Sequence, residues 1–259
     1  MKKFYDSFWA IRCVWLRYFD VFRKGLFYGM VTTFIEPMLL LVAFGFGLGS
    51  MVGEMEIHGI RLTYRQFVFA GILGQTIMFQ CFFEAAYGSF IRMYYQKIFQ
   101  AISITPITLS EVLWGELLWD SSRGMFSASV VLLIGCLTGD FSKTGALLAL
   151  PFCFMSAFLF SALGLWVAGI SKTIEQISYP QYLFVFPMFM FCGIFYPLEN
   201  LPVLVQKIVW LLPLTAFVSI GRHFILDFPY ESTSLPGLIF WLILLTWQSR
   251  KAMSNRLIK

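Results

Sequence analysis

Three side chains in GELLWDSSRG, residues 115–124, can do acid–base or ion-pair chemistry: Glu116, Asp120 and Arg123. Offsets of four and three place them on one face of a helix. Glu111 lies one turn earlier, and two more acids stand in apolar runs, Glu36 before Pro37 and Glu84. A charge at membrane depth costs about 3 kcal/mol on insertion scales, so such groups should face protein or water rather than lipid. One chemistry is structural: Asp120 and Arg123 neutralise each other, and Arg123 reaches Glu36 or Glu84. The other is a relay that hands on protons or substrate.

Other chemistries have no matching pattern. No G-x-x-x-x-G-K-[ST] occurs, because SKT at 142–144 and at 171–173 lacks the glycine-lysine pair. There is no Gly-rich phosphate loop, H-E-x-x-H or G-x-S-x-G. The five cysteines, Cys13, Cys81, Cys136, Cys153 and Cys192, form no C-x-x-C pair, and four lie in apolar runs, where they read as small core hydrophobes. His58 and His223 stand alone, so no metal site is assigned. Energy from a nucleotide would have to come from another chain.

The elements that must position these acids are membrane spans. The 259 residues are 59% hydrophobic and 13% charged, about half the charge of a soluble domain. Long, nearly charge-free runs predict six spans near 27–50, 66–91, 108–138, 145–170, 178–194 and 233–250, each long enough for roughly 30 Å of hydrocarbon, the last two short. The fold class is therefore an all-α integral membrane protein of one domain, 1–259. Residues 1–25 show no signal-peptide pattern. Phe4, Phe8, Ile11, Trp15, Phe19, Phe22 and Leu26 make one stripe, opposite Lys2, Asp6, Arg17, Asp20 and Lys24, as in a helix lying in the membrane surface. Thirteen Lys and Arg fall in the N-terminal segment, the tail and the 92–97 and 172 loops, against five on the other side, with Arg123 inside a span. The positive-inside bias puts both termini in the cytoplasm.

Two connections are unusual. YYQKIFQAISITPI, residues 94–107, is amphipathic. Ile98, Ala101 and Ile102 make a small apolar face; Gln96, Lys97, Gln100 and Ser103 make a polar one. Thr105-Pro106 then forces an extended step. It could be a mechanical handle for a partner or a loop lying on lipid headgroups. The stretch CGIFYPLENLPVLVQKIVWLLPLTAF carries Pro197, Pro202 and Pro213, and its segments near 201–212 and 214–226 are too short to cross. Backbone cannot stay unpaired against lipid. Two half-helices that dip in from the outer face would solve this; a plain outer loop packed on the bundle is the other option.

FIEP at 34–37, AISITPIT at 101–108, GELLWDSSRG at 115–124, GIFYPLENLP at 193–202 and PLT at 213–215 occur in the order found in a known family. The chain resembles the permease subunits of type-2 ABC exporters over nearly its whole length. The subgroup it is most similar to is the lipo-oligosaccharide (nodulation-factor) exporters, with drug and O-antigen permeases as relatives. The resemblance implies an interfacial helix at 1–25, a cytoplasmic coupling helix at 94–105 and a re-entrant segment at 196–226. It implies that Gln96, Lys97, Gln100, Ser103, Thr105 and Pro106 meet a separate ATPase, present in two copies, which carries the ATP and Mg. No cofactor is expected on this chain. It implies a homodimer in the bacterial inner membrane that exports an amphipathic substrate, with Phe195, Pro197, Leu198, Leu201, Pro202 and Pro213 at an outer gate. A proton-coupled secondary transporter using the intramembrane acids is the alternative, although no inverted repeat is visible.

Overall fold

A computed structural model describes residues 2–257, with the side chains of residues 2–6, 28, 30, 32, 103 and 257 excluded. The expected stripe members Lys2, Phe4 and Asp6, the Ser103 side chain and the tail residue Lys259 lie outside the described set. The chain is built almost wholly of helix. A surface helix α1 (Lys2–Lys24) leads into α2 (Leu26–Leu40), which continues through a wide π-helical stretch (Leu41–Leu48) into the single turn α3 (Gly49–Val52). A two-stranded hairpin follows, β1 (Glu54–Ile57) against β2 (Ile60–Thr63), antiparallel with Met55 opposite Leu62. It was not expected, yet EMEIHGIRLT alternates in the way of a small ribbon around a His58-Gly59 turn with positive φ at both residues.

Next come α4 (Tyr64–Phe83), a second π-helical turn (Glu84–Gly88) and α5 (Ser89–Tyr94), then the short loop helix α6 (Ile98–Ser103). Two long helices, α7 (Leu109–Leu137) and α8 (Lys143–Ile170), form the centre. A broken stretch contains α9 (Ser178–Pro180), a π-helical turn (Gln181–Val185) and α10 (Phe186–Phe191). The chain finishes with α11 (Val203–Val209), α12 (Pro213–Leu226) and α13 (Ser234–Leu257).

Among the described residues, four stretches are long and apolar enough to cross a membrane: Thr33–Val52, Tyr64–Tyr94, Leu109–Leu137 and Lys143–Ile170. The expected fifth and sixth spans fall on α9–α10, which is short, and on α13, which carries Arg250, Lys251 and Arg256 in its second half. Between them α11 and α12 form a pair bent by 88°. Pro213 sits at the first position of α12, where its missing N–H does no harm. The two ends of the bent pair meet the same neighbour. Glu199, just before α11, lies 3.1 Å from His58 at the hairpin turn, and Phe228, just after α12, places its ring 6.2 Å from that of His58. The elbow points the other way: the Trp241 indole donates to the Leu211 carbonyl at 2.8 Å, roughly 10 Å along α13 from its start.

The core forms around α8, which packs on α4, α7, α12 and α13. Its inner face is small: Ala149, Ser156, Ala157, Ser161, Ala162 and Gly164 are all buried. Small residues let helix backbones approach where lipid offers no hydrophobic drive to association. At the hairpin end, the buried Asp140 carboxylate accepts from Arg65 at 2.8 Å and ties the start of α4 to the end of α7. The π-helical second half of the first span is held to the rest by Phe44, whose ring sits 4.3 Å from Phe195.

In the surface helix Ala10, Val14 and Tyr18 are buried against the bundle, while Phe8 and Phe19 of the aromatic stripe, together with Trp9, are exposed. Thus α1 is apolar on two flanks, one against protein and one free for lipid. It crosses α7 at Gly115, where a Cβ would lie 2.6 Å from Val14.

Gly71 in α4 offers a test of this packing. A Cβ there would sit 2.8 Å from the Ile194 side chain and 2.9 Å from its backbone Cα. Gly71→Val should lower stability by about 1–3 kcal/mol through overpacking. Gly237→Ala, with nothing within 4 Å, should not. Thermal melting of detergent-solubilised protein, followed by gel-filtration recovery, checks both.

Candidate functional site

The acids read from the sequence converge on a cation assigned there to a loop flank. Arg92, on α5, is the hub. Its Nη2 donates to Glu116 at 2.7 Å and its Nε to the other Glu116 oxygen at 3.1 Å, a two-pronged contact. Nη1 donates to Glu84 at 3.0 Å, and Nη2 also approaches Asp120 at 3.3 Å. Arg123 reaches Glu84 at 3.7 Å. Glu116 and Asp120 are fully buried, and Glu84, Arg92 and Arg123 nearly so.

This corrects two expectations. Asp120 pairs with Arg92 and not with Arg123, because Arg123 points across to Glu84. Glu36 takes no part: it is exposed on α2, on a helix whose outward residues Ile35, Leu39, Val42 and Phe46 are otherwise apolar. Glu111 also stands apart, accepting from the Thr108 backbone N–H at 2.7 Å as the second half of a capping box.

Neutral donors complete the shell. Tyr18 of α1 donates to Glu116 at 2.6 Å, Ser89 donates to Glu116 at 3.1 Å, and the Trp119 indole donates to Glu84 at 3.4 Å. Burial, and then the Glu116 carboxylate, push the Tyr18 hydroxyl far above the usual phenol range, so it stays a donor. Arg92 also stacks on the Tyr18 ring at 4.9 Å, and Arg123 stacks on Phe22 at 4.6 Å. The Trp15 indole donates to Ser122 at 3.0 Å. Three acids and two guanidinium groups therefore join α1, the π-helical turn at Glu84, α5 and α7. A π-helical turn inside a helix widens one turn and re-aims its side chains. Here it carries the Glu84 carboxylate.

The loop helix begins a few residues past Arg92. Backbone N–H groups of Tyr95 and Gln96 both donate to Ile91, Lys97 adopts a left-handed φ of 52°, and α6 starts. Phe99 and Ile102 are buried beneath it. Ala101, expected on the apolar face, is exposed, and Phe99 takes its place inward. Gln96, Lys97, Gln100, Thr105 and Pro106 are exposed. So are two apolar groups: Ile104 at 88% and Tyr95 at 67%. The Thr105 hydroxyl donates to the Ile102 carbonyl at 2.6 Å, and the Thr108–Glu111 box starts α7 at once. Little slack remains between α5 and α7.

Of the residues expected at an outer gate, Phe195, Pro197, Leu198, Leu201 and Pro202 lie toward the opposite, hairpin end, and Pro213 lies at the elbow of the bent pair. Pro213 is buried; Phe195, Pro197, Leu198 and Leu201 are half-buried; Pro202 is exposed. Their turn is anchored by Arg222, a buried cation the sequence reading passed over. Its Nη2 donates to the Gly193 carbonyl at 2.6 Å, and its guanidinium lies 3.7 Å above the Phe67 ring. The signal for Arg92 was its spacing of two turns from Glu84; the signal for Arg222 was a lone cation in an apolar segment.

Removing Arg92 should be the most damaging single change at this site. Arg92→Gln strips three buried carboxylates of their shared partner, and folded yield should fall as for a loss of about 3–5 kcal/mol. Adding Glu116→Gln should restore part of it. Asp120→Asn alone should be mild, since Arg92 keeps two other acids. Folded yield by fluorescence-detected gel filtration tells these apart, and normal recovery of Arg92→Gln would remove the hub role.

Comparison with known proteins agrees with this architecture. The model of the ABC-2 type transporter family matches residues 10–226. Nodulation protein J of Sinorhizobium fredii is 29% identical over 227 residues, covering 88% of this chain and 85% of that one. Nodulation protein J of Bradyrhizobium diazoefficiens is 28% identical over 222 residues, with 86% and 83% covered. The inner membrane transport permease YadH of Escherichia coli is 25% identical over 214 residues, with 83% and 82% covered. With a helical bundle able to cross a membrane several times and a family match over most of its length, the chain is a multi-pass membrane protein that belongs to the ABC-2 type transporter family, as a transport permease.

Proposed function

We propose that this chain is the membrane-spanning subunit of an ATP-driven exporter, powered by a separate ATPase that docks on α6. The observation that carries this is the state of α6 and its root. A six-residue helix presents Ile104 and Tyr95 to solvent beside Gln96, Lys97 and Gln100, while Phe99 and Ile102 pin it from below. Its two ends run without slack into α5, which holds Arg92, and α7, which holds Glu116 and Asp120. A push on α6 is therefore delivered to both long helices and, through Tyr18, to α1. An exposed isoleucine on a loop between spans fits a protein groove better than headgroups and water.

The rest of the reading follows the same family. ATP and Mg would sit on the ATPase, in two copies, since this chain has no phosphate loop of its own. A second permease copy accounts for Glu36: a carboxylate exposed on an apolar helix costs about 3 kcal/mol in lipid and is sheltered when two such faces meet. The path would then run between protomers. The α11–α12 pair, with both ends at the hairpin, is a re-entrant element closing that path on the outer side, around Phe195, Leu198 and Leu201. Six spans, cytoplasmic termini and an inner-membrane location complete the topology. The cargo is amphipathic, in the class of lipo-oligosaccharides, lipid-linked glycans and hydrophobic drugs, a reading supported by nodulation protein J among the relatives.

Ile104→Glu should cut ATPase co-purification roughly tenfold, the loss of about 1.4 kcal/mol of apolar contact, while membrane insertion and melting stay normal. Pro106→Ala should retain the ATPase but lower transport per ATP hydrolysed. If Ile104→Glu holds the ATPase and transports normally, α6 is not the dock. For topology, Glu199→Cys in a chain cleared of native cysteines should react with an impermeant thiol reagent from outside the cell. Reaction only from the cytoplasmic side would invert the arrangement.

A further inference from the structure

An open groove of about 820 Å³ lies between α7, α8 and α13. Its floor is apolar: Leu113 and Trp114 of α7, Phe158 of α8, Leu242 and Ile243 of α13. Its end beside α6 and the start of α7 is basic. Arg250 lies with its guanidinium 5.5 Å from the centre of the Trp114 ring and donates to the Ser110 hydroxyl at 3.1 Å. Lys251 places its ammonium 5.1 Å from the Trp247 ring. Among the described residues neither cation forms an ion pair, and no carboxylate lines the groove. The neighbouring acid, Glu111, turns to the Thr108 N–H and to Ser7.

We propose that this groove is a binding site for one anionic phospholipid of the leaflet at the α6 end, its phosphate held by Arg250 and Lys251 and one acyl chain laid along Leu113, Phe158 and Ile243. The depth fits. From Arg250 to Leu242 is eight residues, roughly 12 Å of helix, close to the thickness of half a hydrocarbon core. The order of chemistry fits as well: cations first, then two indoles at the level where amphipathic rings meet headgroups, then aliphatic and phenyl side chains. Charge selects the lipid. Two cations without carboxylate partners favour a net-negative headgroup over a zwitterionic one, and seating each on an indole face keeps both oriented toward the same point. The site is separate from the charge cluster and from the α6 surface, and it requires only that the chain be embedded in a bilayer.

The experiment uses the full-length chain in detergent with equal amounts of phosphatidylglycerol and phosphatidylcholine bearing identical acyl chains, read by native mass spectrometry. The wild type should retain one phosphatidylglycerol in preference to phosphatidylcholine. Arg250→Gln with Lys251→Gln should weaken that retention roughly thirtyfold, about fivefold for each cation removed. Ile243→Trp, which fills the groove and leaves both charges, should weaken it also. Glycerol 3-phosphate should not compete, since it lacks the chain. Equal retention of the two lipids by the wild type would overturn the proposal without any variant being needed. So would displacement by glycerol 3-phosphate, or loss of a co-purifying ATPase in the Gln variants while lipid retention stays at the wild-type level; the last would mark the two cations as part of a protein dock.

Discussion

A guanidinium surrounded by three carboxylates, at the end of a bundle where water is scarce, is the interaction on which the rest of this molecule depends. Charges in such a place lose their hydration and recover it only through near-ideal contact geometry. Arg92 meets that demand with a two-pronged contact to Glu116 and single contacts to Glu84 and Asp120. The same low dielectric that makes each contact strong makes each missing partner harmful. The positions of α5, α7 and the π-helical turn at Glu84 are thus fixed relative to one another more tightly than apolar packing alone would fix them.

That rigidity gives the loop helix its mechanical meaning. Apolar helix contacts in a membrane can slide, because one greasy surface resembles the next. A hub with directional donors cannot. On one side α6 is tied through Arg92 to the charge cluster, and on the other through the Thr108–Glu111 box to the start of α7. The surface helix joins through Tyr18 and the edge-to-face contacts of Trp15 and Phe22 with Trp119, with ring centres about 6 Å apart. At the opposite end the logic is different. Arg65–Asp140, His58–Glu199 and Arg222 with its carbonyls pin the hairpin, the α11–α12 pair and the turn at Gly193. Two polar clasps, one at each end, bracket a core that is otherwise small-residue helix packing.

The outward faces of α2 with its π-helical continuation, and of the π-helical turn before α10, contrast with this. Leu39, Val42, Phe46, Tyr182, Leu183 and Phe184 are all exposed, and the first long helix buries little of its surface in the chain itself. A helix apolar on its exposed side is at home in lipid; the carboxylate of Glu36 in the middle of it is not. Together with the aromatic groove between α7, α8 and α13, these faces divide the membrane-facing surface into regions of distinct chemistry.

Hydropathy and spacing were enough to determine the class of fold, the long helices and the face shared by Glu116 and Asp120, because those depend on helical period and on what lipid tolerates. The prolines and short runs of 196–226 marked a break in the chain. Period cannot say which element a long polar side chain leans toward. Arg92 looked like a loop flank, and only the packing of α5 beside α7 made it the hub. Asp120 and Arg123 share a face, yet they part to different partners because Glu84 arrives from a neighbouring helix through a π-helical turn. Glu36 reads like the other intramembrane acids in sequence and differs only in which way α2 turns. Which residues of α1 turn inward, Val14 and Tyr18, is set by Gly115 on another helix. In each case the deciding contact is between residues far apart in the chain, and local spacing carries no record of it.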